Sequence, residues 1–286
     1  MYKFCNLKNW FVVILMSFLF IFSVPEKILA ADIAVIEPAD LNQFLSTWII
    51  FDARPFKQWQ QGHIPGAKSF SWEDYTRTDE KGIAYRTLPP AQLAAALGKM
   101  GIDENSPVVV YGDADTSWGG EGWACWVLAW MGHKAPIRML NGGIQSWLKQ
   151  NFPVQSNDQS VAMEPKIYRY QVLASVNITA DDIHKNSSAF QLVDTRSTIE
   201  LIKGRIPGAI HIPWEKFYTG ADRRPLTPAE TKELLKQKGV ISERPVVYYC
   251  TGGIRSAYAW LVHHLAGLPE AINFEGGMEE WEKTSP

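Results

Sequence analysis

An internal duplication constrains this chain more than any single motif does. Trp48-Ile49-Ile50-Phe51-Asp52-Ala53-Arg54, followed by Gly62-His63-Ile64-Pro65-Gly66-Ala67, returns as Gln191-Leu192-Val193-Asp194-Thr195-Arg196 followed by Gly204-Arg205-Ile206-Pro207-Gly208-Ala209, at an offset of 142. Pro107-Val108-Val109-Val110-Tyr111 returns as Pro245-Val246-Val247-Tyr248-Tyr249 at an offset of 138, and Asn141-Gly142-Gly143 as Glu275-Gly276-Gly277 at an offset of 134. Ordered matches with only two four-residue slips mark a duplicated unit of about 115–125 residues. In each copy short apolar runs alternate with helical stretches, 91–100 and 229–238, which have start signals at Pro90 and Thr227-Pro228 and stop signals at Gly101 and Gly239. Continuous apolar strands separated by helices predict an α/β fold, here two tandem domains, each a mostly parallel sheet flanked by helices. The expected limits are residues 33–152 and 172–286, with 153–171 as linker.

Composition agrees with two ordered domains. The 286 residues carry 28 Lys+Arg against 30 Asp+Glu, a net charge of −2, so nothing general attracts nucleic acid or an anionic membrane. Three cysteines are too few for a disulfide scaffold. The first thirty residues read differently from the rest. Lys3 and Lys8 precede an apolar run from Trp10 to Val24, and Leu29-Ala30-Ala31-Asp32 offers small residues for a cut. That order predicts a secretory signal peptide over residues 1–30 and a periplasmic or secreted protein, with no membrane contact after cleavage. An uncleaved segment would instead be a membrane anchor. Cleavage would leave 25 basic and 29 acidic residues, and Cys125 and Cys250 as the two cysteines.

Ligands of parallel sheets sit beyond the carboxyl ends of the strands, which directs attention to the residues just after Tyr249. There the sequence reads Cys250-Thr251-Gly252-Gly253-Ile254-Arg255-Ser256, then an apolar stretch from Ala257 to Val262. A strand, a tight glycine loop and a helix start would set Cys250 before successive backbone N–H groups, a cradle for an anion. A thiol of ordinary pKa about 8.5 can fall to about 3.5–7.5 in such surroundings, making thiolate available at neutral pH. Gly252 and Gly253 allow the sharp turn, and Arg255 adds a positive charge able to face the thiolate or an anionic substrate. The plain alternative for Cys250 is a small buried apolar residue after a strand. Cys125, within Trp123-Ala124-Cys125-Trp126-Val127-Leu128, reads as a buried structural thiol. The adjacent His263 and His264 point to different helix faces and do not suit one metal, so no metal site is expected.

Taken together, Asp52-Ala53-Arg54, Gly62 to Ala67, their second copies, the Cys250 loop and the Gly-Gly turns resemble the rhodanese-like sulfurtransferases in their tandem form. The resemblance spans nearly the whole chain after residue 30. It implies that Cys250 is the nucleophile, that its first-copy counterpart is Gly112, and that the N-terminal domain therefore lacks one. It implies a two-step reaction without cofactor: Cys250 takes the outer sulfur of a small anionic donor such as thiosulfate or 3-mercaptopyruvate. A cyanide or thiol acceptor, a protein thiol included, then removes it. Thr251, Gly252, Gly253, Ile254 and Arg255 would hold the persulfide and donor. Related phosphatases separate Cys and Arg by five residues, whereas Cys250 and Arg255 are separated by four, a tighter ring that favours sulfur over phosphate.

The two-domain mercaptopyruvate enzymes carry Cys-Gly-Ser-Gly-Val-Thr, from which Thr251 and Arg255 depart, and the added charge suits thiosulfate. Many tandem members place a substrate-contacting Arg where this chain has Glu200, which removes the usual clamp. Arg205 stands where the motif usually has His. It would contact the anionic substrate or pair with Asp194 or another acid that holds the loop. Asp194 and Arg196 are expected to fix the strand end rather than touch substrate. The rival function is a persulfide carrier serving a protein partner.

Overall fold

The computed structural model describes residues 31–156, 163–241, 244–269 and 271–284; the expected signal peptide, residues 1–30, lies outside the described residues. The first repeat runs β1 (Ile33–Ile36), α1 (Pro38–Gln43), β2 (Ile49–Asp52), α2 (Phe56–Gln61), β3 (Lys68–Ser69), α3 (Trp72–Tyr75), β4 (Thr76–Arg77), β5 (Arg86–Thr87), α4 (Pro90–Lys99), β6 (Val108–Tyr111), α5 (Gly120–Trp130), β7 (Ile137–Leu140) and α6 (Gly143–Lys149). The second runs α7 (Ala180–Lys185), β8 (Gln191–Asp194), β9 (Ile210–His211), β10 (Tyr218–Thr219), β11 (Arg224–Pro225), α8 (Pro228–Gln237), β12 (Val246–Tyr249), α9 (Ile254–Leu265), β13 (Ala271–Phe274) and α10 (Gly277–Thr284). Short 3₁₀ turns fill several connections, and Trp214–Phe217 stands in the place of α3.

Both main sheets are parallel, in the orders β1-β7-β6-β2-β3 and β13-β12-β8-β9. Asp52 pairs in register with Tyr111, and Asp194 with Tyr249, so each repeat sets its motif Asp level with the residue before Gly112 or Cys250. The second sheet has no full counterpart of β1; a single parallel bridge, Asn177 to Asn273, takes its place. Every residue of β6 and β12 is buried, as continuous apolar strands covered on both faces require. Helix α8 starts on a reciprocal cap between Thr227 and Glu230 with Pro228 in its first turn.

Among the described residues the two repeats share one apolar cluster, and each has a further one of its own. Trp123, Trp126 and Leu128 of α5 belong to the same buried cluster as Tyr258, Trp260 and Leu261 of α9. These helices meet where only hydrogen fits: a Cβ on Gly122 would lie 2.3 Å from Tyr258 Cα. The segment read as a linker is strapped to the first repeat, through Lys166 N–H to the Gly98 carbonyl at 2.9 Å and Gln171 N–H to that of Met131 at 3.0 Å. Cys125 is fully buried in α5, Cys250 is 1% exposed, and both are free thiols, so no disulfide consumes Cys250.

The two four-residue slips have definite places. Between β4 and β5 the first repeat has eight residues, 78–85, where the second has four, 220–223, between β10 and β11. Between β6 and α5 it has eight, 112–119, where the second has four, 250–253, between β12 and α9. Both longer loops belong to the repeat that has Gly112 in the place of Cys250.

Candidate active site

Cys250 follows β12 directly and begins the four-residue loop into α9, whose cap residue Gly253 has φ +81°. A Cβ there would lie 2.4 Å from the Glu275 carbonyl, so the Glu275-Gly276-Gly277 turn presses directly on the loop. The first turn of α10 holds the loop's carbonyls, Met278 N–H donating to Cys250 O at 2.9 Å and Glu279 N–H to Thr251 O at 3.1 Å. Among the described residues no hydrogen bond takes the backbone N–H groups of Thr251, Gly252 or Gly253. They stand, with the start of α9, as donors for an anion on the sulfur. Ser256 Oγ lies 3.7 Å from Cys250 Sγ and 2.7 Å from Asn273 Oδ1, and Asn273 Nδ2 donates to Gly253 O at 3.1 Å. The polar groups behind the sulfur are thus fixed from α9 and β13.

Arg255 is committed to Glu200. Its two terminal nitrogens reach the Glu200 oxygens at 2.7 and 2.8 Å, and one also donates to Thr251 Oγ1 at 2.8 Å. Glu200 further accepts from Thr251 Oγ1 at 2.8 Å and from Ser197 Oγ and N–H at 2.7 and 2.9 Å. Burial alone would raise the Glu200 carboxyl, but these hydrogen bonds and the Arg255 charge hold it well below the ordinary range. For Arg255 burial pulls down, while Glu200 and the nearby Cys250 sulfur push it well above its usual value. The guanidinium carbon sits 6.0 Å from the Trp118 ring centroid, closing a sandwich of Glu200, Arg255 and Trp118.

Cys250 lines a cleft of about 610 Å³ between the repeats. The second repeat gives Glu200, Glu215 and the Cys250 loop; the first gives Trp72, Glu73, Tyr85 and Trp118. Trp72 meets Tyr85 edge to face at 6.1 Å, and Trp118 stacks on Trp214 at 6.4 Å. Tyr85 and Trp118 are 41% and 53% exposed, at φ +63° and +55°. Left-handed backbone at a bulky residue costs about 1–3 kcal/mol and clusters at functional sites. Each residue lies in one of the two loops that are four residues longer in the first repeat. Tyr85 rests on the Cys250 loop itself, since a Cβ on Gly252 would lie 2.4 Å from its Cβ.

Compared with protein-family models, the sequence matches the rhodanese-like domain twice, over residues 37–150 and 179–284. The chain belongs to the rhodanese-like family. It is 30% identical over 247 residues to human 3-mercaptopyruvate sulfurtransferase and 28% identical over 248 residues to thiosulfate sulfurtransferase of Rattus norvegicus, covering 80% of each chain in both pairs. Among solved structures it shares the fold of the Escherichia coli 3-mercaptopyruvate sulfurtransferase, with TM-score 0.76 and 20% identity over 85% of this chain and 98% of that one.

Two sequence expectations change in this rhodanese-like chain. Arg205 is exposed and is not among the cleft-lining residues; among the described residues it has no anionic partner, and Asp194 is already held by Arg196 at 2.6 Å. Arg255 does not present a free charge, because Glu200, which the sequence showed only as a missing clamp, neutralises it. Asp194 and Arg196 lie behind the strand end: Arg196 also donates to Gly204 O at 2.8 Å, and Tyr249 OH to Asp194 at 3.0 Å. Asp52, Arg54 and Tyr111 repeat that arrangement in the first copy. Gly112 occupies the cysteine position there, and a Cβ on it would lie 2.2 Å from Glu121 Oε2. The buried Glu121 carboxyl thus fills the space a side chain at residue 112 would need.

His263 spends both ring nitrogens on Tyr248 OH and Pro269 O, at 2.9 and 3.0 Å. Among the described residues no group of three or more His, Cys, Asp or Glu is placed to hold a metal ion.

Proposed function

We propose that this protein is a sulfurtransferase in which Cys250 takes the sulfane sulfur of a small donor and passes it to a nucleophilic acceptor. The observation that carries the reading is Cys250 at the head of a loop whose backbone N–H groups have no protein acceptor among the described residues, inside a cleft large enough for a small molecule. In the first step the Cys250 thiolate attacks the outer sulfur of the donor. For thiosulfate the S–S bond breaks and sulfite leaves with its electron pair; for 3-mercaptopyruvate the thiolate attacks the thiol sulfur itself, the C–S bond breaks with its electron pair on carbon, and the resulting enolate takes up the thiol proton as pyruvate. In the second step the acceptor attacks the outer sulfur of the persulfide and Cys250 leaves as thiolate, so the cycle closes without net oxidation of the protein. The loop N–H groups left without a protein acceptor would donate to the negative charge in both steps. The relatives' names support thiosulfate and 3-mercaptopyruvate as donors.

Thiocyanate formation from thiosulfate and cyanide tests the reading. Turnover should persist in Cys125→Ser and vanish in Cys250→Ser. A single sulfur adduct on Cys250 without turnover on any small acceptor would favour a carrier for a protein partner.

We also infer export, on the basic start, the apolar run to Val24 and the small residues at 30–31. Among the described residues no helix is long and apolar enough to cross a membrane. N-terminal sequencing after expression in a secreting host should find a chain starting near Ala31, and a retained Met1 would refute cleavage.

A further inference from the structure

Charge in the cleft runs opposite to what an anion site needs. Its lining holds three carboxylates, Glu73, Glu200 and Glu215, against one cation, Arg255, and that cation is already paired with Glu200 at 2.7 Å. Glu73 and Glu215 are exposed, line the same cleft and have no cationic partner among the described residues. Beside them stand the rings of Trp72, Tyr85 and Trp118, the last two well exposed on left-handed backbone. Tyr85 and Trp118 come from loops that the second repeat makes four residues shorter. Electron-rich ring faces together with carboxylates are the arrangement that holds organic cations, and Arg255 against Trp118 already uses it within the protein.

We propose that the cleft selects a sulfur acceptor that carries an organic cation, a small thiol bearing an ammonium group, with the cation seated between Trp72, Tyr85 and Trp118 and facing Glu73 and Glu215. The proposal rests on the sulfur-transfer reading above. The acceptor thiolate attacks the outer sulfur of the Cys250 persulfide and forms a new S–S bond. The bond to Cys250 sulfur breaks with its electron pair on Cys250, and the persulfide proton stays with the product. No oxidant or reductant is needed. The cleft volume of about 610 Å³ suits a small molecule rather than a protein surface.

The test is single-turnover discharge of the isolated Cys250 persulfide by cysteamine and by 3-mercaptopropionate, in the wild type and in Glu73→Gln/Glu215→Gln. Comparing the rate ratio of the two thiols between proteins cancels their different intrinsic reactivities. The wild-type ratio, cysteamine over 3-mercaptopropionate, should exceed that of the double variant by about tenfold at low salt and approach it at high salt. Choline, which has no thiol, should slow alkylation of Cys250 by iodoacetamide in the wild type and not in Trp118→Leu. Equal ratios in the two proteins, or no protection by choline, would overturn the proposal. Failure of any donor to form the persulfide would overturn the sulfur-transfer reading itself, and the acceptor proposal with it.

Discussion

Glu200→Gln removes one charge from the site while keeping its shape. In the wild type Glu200 receives two hydrogen bonds from Arg255, whose side chain is 11% exposed against 29% for Glu200. Opposite unit charges about 4 Å apart attract by about 4 kcal/mol at an effective dielectric of 20. The solvent reaching Glu200 and the desolvation of both groups reduce the net contribution to about 1–3 kcal/mol. Glutamine still offers an oxygen to Thr251 or Arg255, so the guanidinium stays in place, but its charge beside Cys250 is no longer cancelled. A dianionic donor then recovers part of the released attraction. A gain of about 1.4 kcal/mol is tenfold in binding, so KM for thiosulfate should fall about tenfold. Stability should fall by about 1–2 kcal/mol, read as a lower urea midpoint. Steady-state kinetics at two ionic strengths check this, because the variant's KM should rise more steeply with salt. An unchanged or higher KM for thiosulfate in a folded variant would refute the view that Glu200 holds the charge of Arg255 in check.

Gly252→Ala should misplace the Cys250 loop, since its Cβ would lie 2.4 Å from that of Tyr85; we expect a loss of about 1–3 kcal/mol in stability, with Tyr85→Gly, which removes that Cβ, restoring much of it in the same chain, and an absence of coupling in the double-mutant cycle would contradict the contact. Gly112→Cys in a Cys250→Ser background should gain no sulfur on incubation with thiosulfate, because Glu121 fills the space at residue 112; a sulfur adduct by mass spectrometry would contradict this. His133 is buried, and burial pulls it down to about 4 from 6.5. Its folded pKa lies below the unfolded one, so the unfolded chain takes the proton first. The contribution is complete above pH 6.5 and is lost between 6.5 and 4, about 3 kcal/mol at about 1.4 kcal/mol per unit. Urea midpoints at pH 7.5 and 4.5 should differ less in His133→Gln than in the wild type, and an equal difference would contradict the assignment.

The parallel sheets were legible because Val108–Tyr111 and Val246–Tyr249 are apolar throughout, a pattern that only a doubly covered strand allows. Cys250 at the head of its loop was legible for the same reason: strand, glycine turn and apolar helix succeed one another locally. The wall of the cleft was not. Tyr85 and Trp118 lie far from Cys250 in sequence, and an aromatic residue in a loop carries no periodicity to distinguish it from any other. The only trace was the pair of four-residue slips, visible as changed offsets but silent about where the longer loops reach. Glu200 and Arg255 show the same limit. Separated by 55 residues, they meet because the turn after β8 folds back over the β12 loop, a long-range contact that no local pattern announces.

In the proposed reaction Cys250 carries the transferred sulfur. The most direct measurement is the intact mass of the protein after incubation with thiosulfate or 3-mercaptopyruvate, followed by peptide mapping. A protein one sulfur atom heavier is expected, with the adduct on Cys250, lost on adding cyanide and absent from Cys250→Ser. A wild-type protein that gains no sulfur from either donor, or gains it on Cys125, would contradict it.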